Sequence, residues 1–335
     1  MCTAATYQAQ SHYFGRNLDY EFSYGETAVV IPRNFPFHFR EAGELNSHYA
    51  ILGIAFLAKE TDDAPTDYPL LYDAVNEKGL GIAGLNFVGN TVFRDHVDGK
   101  DNIAQYELLP WLLGRCATVA EARELLQNLN LRSFAFRPEL PPSELHWILA
   151  DPTGACIVVE SVADGLKIYD NPAGVLTNNP PFDEQLFSLN NYMGLTAASP
   201  QNTFAPGLPL QAYSRGMGAI GLPGDLSSQS RFAKAAFTRA NSKHKPGKDD
   251  ELTGVGQFFH ILHSVDQQYG CCDLGEGKYE HTIYTSCYNL EQGIFYYTTY
   301  TNHQITAVKM HSTDLDGTTL ATFPVLEDEQ VNYLN

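Results

Sequence analysis

The chain opens MCTAATYQ, residues 1–8, with a cysteine directly after the initiator methionine. Methionine ahead of a small residue is ordinarily trimmed, so the expected mature chain starts at Cys2. That residue would carry both a thiol and a free α-amine. An unperturbed α-amine titrates at about 7.7 to 8.0, close to working pH, and can take the thiol proton. Nucleophile and base would then share one residue. A cysteine at position 2 also arises by chance, so the reading depends on the rest of the chain.

The next segment, YFGRNLDY (residues 13–20), places Arg16 and Asp19 close together. On a regular strand, residues three apart face opposite sides. A bend would bring both to one site; otherwise they make a surface ion pair worth roughly 0 to 1 kcal/mol.

The formal net charge is −18 with no Lys/Arg block, which argues against a nucleic-acid or anionic-membrane footprint. Solubility accounts for the acidity, while an anionic substrate would need locally placed arginines. The longest plain apolar run, Ala50 to Ala58, is too short to span a bilayer. The N-terminus lacks the basic and apolar regions of a secretory signal, so a cytoplasmic location is expected. The six cysteines form no CxxC pair and read as reduced thiols; adjacent Cys271 and Cys272 read as a packing or loop feature.

Apolar runs in YAILGIAFLA and GIAGLNFVG read as strands. LHWILADPTGACIVVE reads as a hairpin turning at Asp151-Pro152-Thr153-Gly154, and KYEHTIYTSCYNL with GIFYYTTYTNHQITAVKM as another. LKIYDNPAGVLTNNPPF continues as a further strand that stops at its prolines. Helices are expected over Tyr106 to Cys116, over Thr118 to Leu129 behind a Thr118/Glu121 capping box, and in LSSQSRFAKAAFTRAN and TGVGQFFHILHSVDQQ. Alternating blocks with no Pro/Ser linker imply one α+β domain over residues 2–335. Lys243 to Glu251 reads as a surface loop.

Two further motifs carry little. Gly79, Gly81 and Gly84 form a GxGxxG, but LNFVGNTVF after it is not helical, as a dinucleotide fingerprint requires. His260 and His263 share a helical face, so a metal is conceivable, although a packed histidine pair explains them without one.

MCTAATYQ, YFGRNLDYEFSYGE, NEKGLGIAGLNF, LHWILAD, GVLTNNPPF, GLPGDLSSQSRF and YYTTYTNHQITAV together resemble the choloylglycine hydrolases, a family of conjugated bile salt hydrolases and penicillin V acylases. The resemblance runs over essentially the whole chain. It implies a four-layer αββα sandwich of the N-terminal nucleophile hydrolase type. It implies Cys2 as nucleophile, Arg16 beside the thiol and Asp19 holding the α-amine. Asn86 and Asn178 would serve the oxyanion, and Arg231 would be the distant arginine of the set, unless it only pairs with Asp225. Penicillin-favouring members often carry tyrosine where this chain has Asn86, so bile salts conjugated to glycine or taurine are the expected substrates. No metal or organic cofactor is implied, and a homotetramer is. Tyr20, Tyr24 and the Phe134 to Pro142 loop are candidate walls of the steroid pocket, ordinary aromatic packing being the alternative. A penicillin V acylase, a non-catalytic steroid binder and a His260/His263 metal protein remain the competing readings.

Overall fold

The computed structural model describes residues 1–58, 69–245, 247 and 250–335. Its body is two antiparallel sheets packed face to face. The first runs, in spatial order, Val175–Leu176, Cys2–Gln8, His12–Tyr20, His281–Asn289, Ile294–Thr299 and Asn302–Lys309. The second runs Gly165–Asp170, Cys156–Val162, Leu145–Ala150, Gly81–Asn86, Leu70–Asn76, Ile51–Phe56, Thr27–Ile31 and Ala321–Pro324. Helices Ser228–Asn241 and Asp250–His263 cover the first sheet; Leu108–Leu113 and Val119–Leu126 cover the second. The result is a four-layer αββα sandwich.

The apolar runs follow from this layering. A strand buried on both faces cannot alternate apolar with polar. Strand Ile51–Phe56 sends Leu52 and Ile54 between the sheets, against Phe14, Tyr284 and Tyr288. Its Ile51 and Ala55 point the other way, toward Trp111, Leu112 and Leu126. Phe232, Val255, Phe258 and Ile261 from the helices close the far face of the first sheet.

Local signals place most elements where expected. The 145–162 hairpin pairs Trp147 with Val159 and Ala150 with Cys156. Thr118 caps its helix by accepting from the Glu121 N–H at 3.2 Å, but the Glu121 carboxylate reaches back to the Ala117 N–H rather than to Thr118. That helix ends at Leu126, because Leu129–Arg132 leaves as a strand beside Asp101–Ala104. Tyr106 to Cys116 begins as a 3-10 turn, Gln105–Glu107, before the helix Leu108–Leu113.

The stretch from Leu166 to Phe182 is not one strand. Gly165–Asp170 belongs to the second sheet, and Asn171 to Gly174 turns the chain into the first, where Val175–Leu176 pairs with Ala4 and Ala5. That crossing delivers the following residues to the start of the first strand. Of the expected 243–251 loop, residues 246, 248 and 249 lie outside the described residues, and helix Asp250–His263 already claims its end.

Candidate active site

Strands Cys2–Gln8 and His12–Tyr20 pair with Cys2 opposite Leu18 and Ala4 opposite Arg16. Gly15 makes this possible: a Cβ there would stand 2.1 Å from the Ser286 carbonyl of the next strand. Arg16 is 1% exposed and points between the sheets. Its Nη1 donates to the Gly84 carbonyl at 2.6 Å, and its Nη2 meets the Cys2 Sγ. Among the described residues, no carboxylate oxygen forms an ion pair with it. Burial alone would lower the guanidinium's affinity for its proton; charge on Cys2, Tyr284, Asp73 and Asp19 outweighs that and raises it. Asp73 itself is pushed up by burial against the pull of Arg16, and both Tyr284 and Tyr288 donate hydroxyl hydrogens to its carboxylate.

Asp19 faces the other side of the sheet. Its carboxylate accepts from Thr282 at 2.6 Å and from Gln267 at 3.1 Å, and it stands 3.8 Å from Arg231. No bend in its strand is needed: Arg16 and Asp19 bracket the start of the first strand from its two faces. The irregularity lies in the partner strand, where the register slips between Thr282 and Tyr284 opposite Leu18 and Asp19.

In the chain that still carries Met1, the Cys2 nitrogen is a peptide N–H. It donates to Asn178 Oδ1 at 2.8 Å, not to Asp19. The Met1 ammonium reaches the Asp19 carbonyl at 2.8 Å and the Glu280 carboxylate. Asn178 Nδ2 donates to the Asn86 carbonyl at 2.8 Å. The Asn86 side chain lines the cavity with no hydrogen bond of its own among the described residues.

Arg231 sits in the first turn of helix Ser228–Asn241, where the helix dipole disfavours a cation. Its Nη1 donates to the Cys2 carbonyl and to Thr3 Oγ1, both at 2.6 Å, and its Nη2 to Asn178 Oδ1 at 2.7 Å. It does not pair with Asp225. That carboxylate is taken by Ser227 and Ser230, whose hydrogen bonds hold its pKa down to about 2. All six residues expected at the site, Cys2, Arg16, Asp19, Asn86, Asn178 and Arg231, therefore meet at one place.

A cavity of about 630 Å³ opens over Cys2 and Arg16. Tyr20 and Tyr24 line it, their rings stacked at 5.5 Å. Phe134 does not: it lies beneath the guanidinium groups of Arg40 and Arg132, at 5.1 and 5.3 Å. Its loop still contributes Phe136 and Leu140 to the wall, and Phe22 and Tyr72 add aromatic surface that sequence reading missed. For Phe22 the available signal was its place between Tyr20 and Tyr24, just past the end of strand His12–Tyr20.

Elsewhere, Gly79 takes a φ of +92° in a turn, while Gly81 and Gly84 lie within a strand, so no helix follows the GxGxxG. His260 and His263 both carry exposed surface; His263 stands 3.5 Å from the Thr298 hydroxyl, and desolvation of its ring, with the charges of His260 and His303, holds its pKa down to about 4. Among the described residues, no group of three or more His, Cys, Asp or Glu side chains is placed to hold a metal ion. Cys271 and Cys272 are free thiols, and among the described residues no helix is long and apolar enough to cross a membrane.

The sequence matches the linear amide C–N hydrolases of the choloylglycine hydrolase family over residues 2–323. It is 51% identical to a bile salt hydrolase/transferase of Lactiplantibacillus plantarum over 335 residues, covering 100% of both chains. It is 38% identical to a bile salt hydrolase/transferase of Clostridium perfringens, again over 100% of each. A crystal structure of a conjugated bile acid hydrolase mutant from Clostridium perfringens superposes with a TM-score of 0.90 at 37% identity over 100% of both chains. A penicillin V acylase from Agrobacterium tumefaciens shares the fold, with a TM-score of 0.73 at 19% identity over 96% of this chain and 91% of that one. The sandwich is that of the N-terminal nucleophile hydrolases, and the chain belongs to the choloylglycine hydrolase family of enzymes that cleave linear amide C–N bonds.

Proposed function

We propose that the protein hydrolyses the amide joining a bile acid to glycine or taurine. The observation that carries this reading is the Cys2 thiol against the Arg16 guanidinium at the base of an aromatic-lined cavity. A cavity of about 630 Å³ suits a steroid acyl group.

With Met1 removed, the Cys2 nitrogen becomes an amine, and Asn178 Oδ1 is the acceptor that orients it. Sγ attacks the substrate carbonyl while the amine takes the thiol proton. Negative charge on the acyl oxygen is met by the Asn86 side chain, which has no competing partner among the described residues; Asn178 works mainly on the nitrogen of Cys2. The amine then protonates the departing glycine or taurine nitrogen, and the C–N bond breaks. Water attacks the thioester with the same amine as base. Arg16 offers the sulfur a buried cation that, among the described residues, has no ion-paired carboxylate, while Asp19 acts through Arg231, Thr282 and Gln267.

We read residues 2–335 as one catalytic domain working in the cytoplasm as a homotetramer. Support for assembly is a stretch between helices Phe182–Ser188 and Ser228–Asn241 that exposes Met193, Phe204 and Tyr213 at 86, 87 and 87%. Light scattering behind size exclusion tests it.

The deciding assay compares amino-acid release from glycocholate and taurocholate with turnover of phenoxymethyl penicillin. Faster bile salt cleavage is expected. Preferred penicillin cleavage makes the protein a penicillin V acylase instead. Tight bile acid binding with no turnover makes it a binder.

A further inference from the structure

The loop that carries Asn178 is gripped at both ends by one buried pair. His146 and Glu160 are both 0% exposed. They lie across from each other on neighbouring strands, one step beyond the Trp147–Val159 pair. His146 Nδ1 meets Glu160 Oε1 at 2.9 Å, and His146 Nε2 meets the Thr177 carbonyl at 2.9 Å. The same Glu160 Oε1 accepts from the Phe182 N–H at 3.0 Å. Thr177 and Phe182 flank Asn178, Asn179, Pro180 and Pro181. The imidazole face stacks on Phe87, the residue after Asn86, at 4.2 Å and 7°.

We propose that His146 and Glu160 are positioning residues for the hydrolytic reaction: they set the loop that aims Asn178 at the Cys2 nitrogen. This rests on the reading of Cys2 and Asn178 given above. The chemistry of the contacts is restrictive. A carbonyl only accepts, so Nε2 must carry a hydrogen. Oε1 already receives the Phe182 N–H, so the bond to Nδ1 needs one acidic proton, held on either the ring or the carboxyl. Glutamine cannot supply it. With Glu160→Gln, an amide oxygen facing both groups requires hydrogens on both ring nitrogens, a lone buried cation. An amide nitrogen there would clash with the Phe182 N–H. One of the two tethers must give way, although shape and volume are nearly unchanged.

Small displacements of a positioned group cost turnover more than binding. Glu160→Gln should therefore lower kcat about 10- to 100-fold with KM within about threefold. The assay is glycocholate cleavage by purified soluble enzyme, normalised to the folded fraction measured from its cooperative thermal unfolding. Leu126→Ala, in the helix behind the second sheet, is the control for lost stability. It should lower Tm but leave kcat within about twofold. A folded Glu160→Gln enzyme with kcat within about twofold of wild type overturns the proposal. Should that variant not fold, nitrogen-15 NMR of histidine-labelled wild type decides: His146 Nε2 must resonate as protonated at neutral pH, and a bare Nε2 overturns the proposal. Wild-type enzyme that releases no amino acid refutes the substrate reading instead, and the nitrogen measurement then tests the pair alone.

Discussion

Two arginines, each 1% exposed, approach Cys2 from opposite faces of the same sheet, and their surroundings differ in one respect. Arg16, on a strand between the sheets, meets the sulfur and has no ion-paired carboxylate among the described residues. Arg231, on a helix over the outer face, spends its guanidinium on the Cys2 carbonyl, Thr3 and Asn178, with the Asp19 carboxylate 3.8 Å away. Burying a cation is costly unless something answers its charge. Around Arg231 the answer is already built into the fold. Around Arg16 the contact is the nucleophile, with Asp73 and Asp19 acting from farther off. The first arrangement gives a frame and the second gives reactivity, so substitutions on the two faces should fail differently.

The largest effect should come from removing what both arginines serve. Cys2→Ser leaves every surrounding contact in place but offers a hydroxyl that is far harder to deprotonate. Bile salt turnover should fall at least about a thousandfold, with Tm barely changed. An Ala inserted between Met1 and Cys2 should be equally inactive, because the Cys2 nitrogen would remain a non-basic amide. Intact mass must confirm which residue is first. Near-normal hydrolysis with Ala at the terminus would remove the α-amine from the mechanism.

Next, Arg16→Met keeps much of the side-chain volume and deletes the charge. Turnover should drop about 100-fold, and alkylation of Cys2 at fixed neutral pH should slow in parallel. Unchanged alkylation would erase the contrast between the two arginines. Arg231→Lys keeps the charge but loses the fork that spans four acceptors, the Leu226 carbonyl among them. Its kcat should fall about tenfold with a measurable loss in Tm, while Cys2 alkylation stays near wild type. If Arg231→Lys slows alkylation as much as Arg16→Met, both faces serve the thiol and the division fails.

The smallest effect sharpens the outer face. Asp266, beyond the end of helix Asp250–His263, accepts from Asn17 at 2.9 Å. Burial, helped by the Asp19 charge, pushes its carboxyl from 3.8 up to about 7. The folded state thus holds this proton more tightly than the unfolded state. Its contribution to stability is present at low pH and is lost as pH rises from about 4 through about 7. Asp266→Asn should therefore raise Tm by about 2 to 4 °C above pH 7, the gain fading on acidification. A gain independent of pH would show that Asp266 does not titrate in this range.

Much of the sandwich was legible because its cause is local. Continuous apolar runs such as ILGIAF mark strands buried on both faces, and Thr118 marks a helix start through a bond three residues long. The Leu166–Phe182 stretch misled because strand propensity does not say which sheet a strand joins. The turn at Asn171, whose side chain accepts from the Gly174 N–H at 2.8 Å, sends the chain from one sheet to the other. Phe134 misled for a similar reason. Past strand Leu129–Arg132 no strand sets side-chain direction, and Phe136 rather than Phe134 faces the cavity while arginines cover the other ring.

The site divides along the same line. Sequence by itself determined that a thiol stands one residue from the start, that Arg16 and Asp19 follow within one short segment, and that the ordered motifs resemble those of the choloylglycine hydrolases. Only the tertiary structure decided which atoms meet. Asn86, Asn178 and Arg231 lie far from Cys2 in the chain, and nothing in their neighbourhoods distinguishes them from turn or surface residues. Their partners are fixed by the crossing between sheets, by a helix packed on the outer face, and by the buried His146–Glu160 pair. Hydrogen bonds require positions good to a few tenths of an ångström, and that accuracy comes from packing across layers rather than from the spacing of residues along the chain.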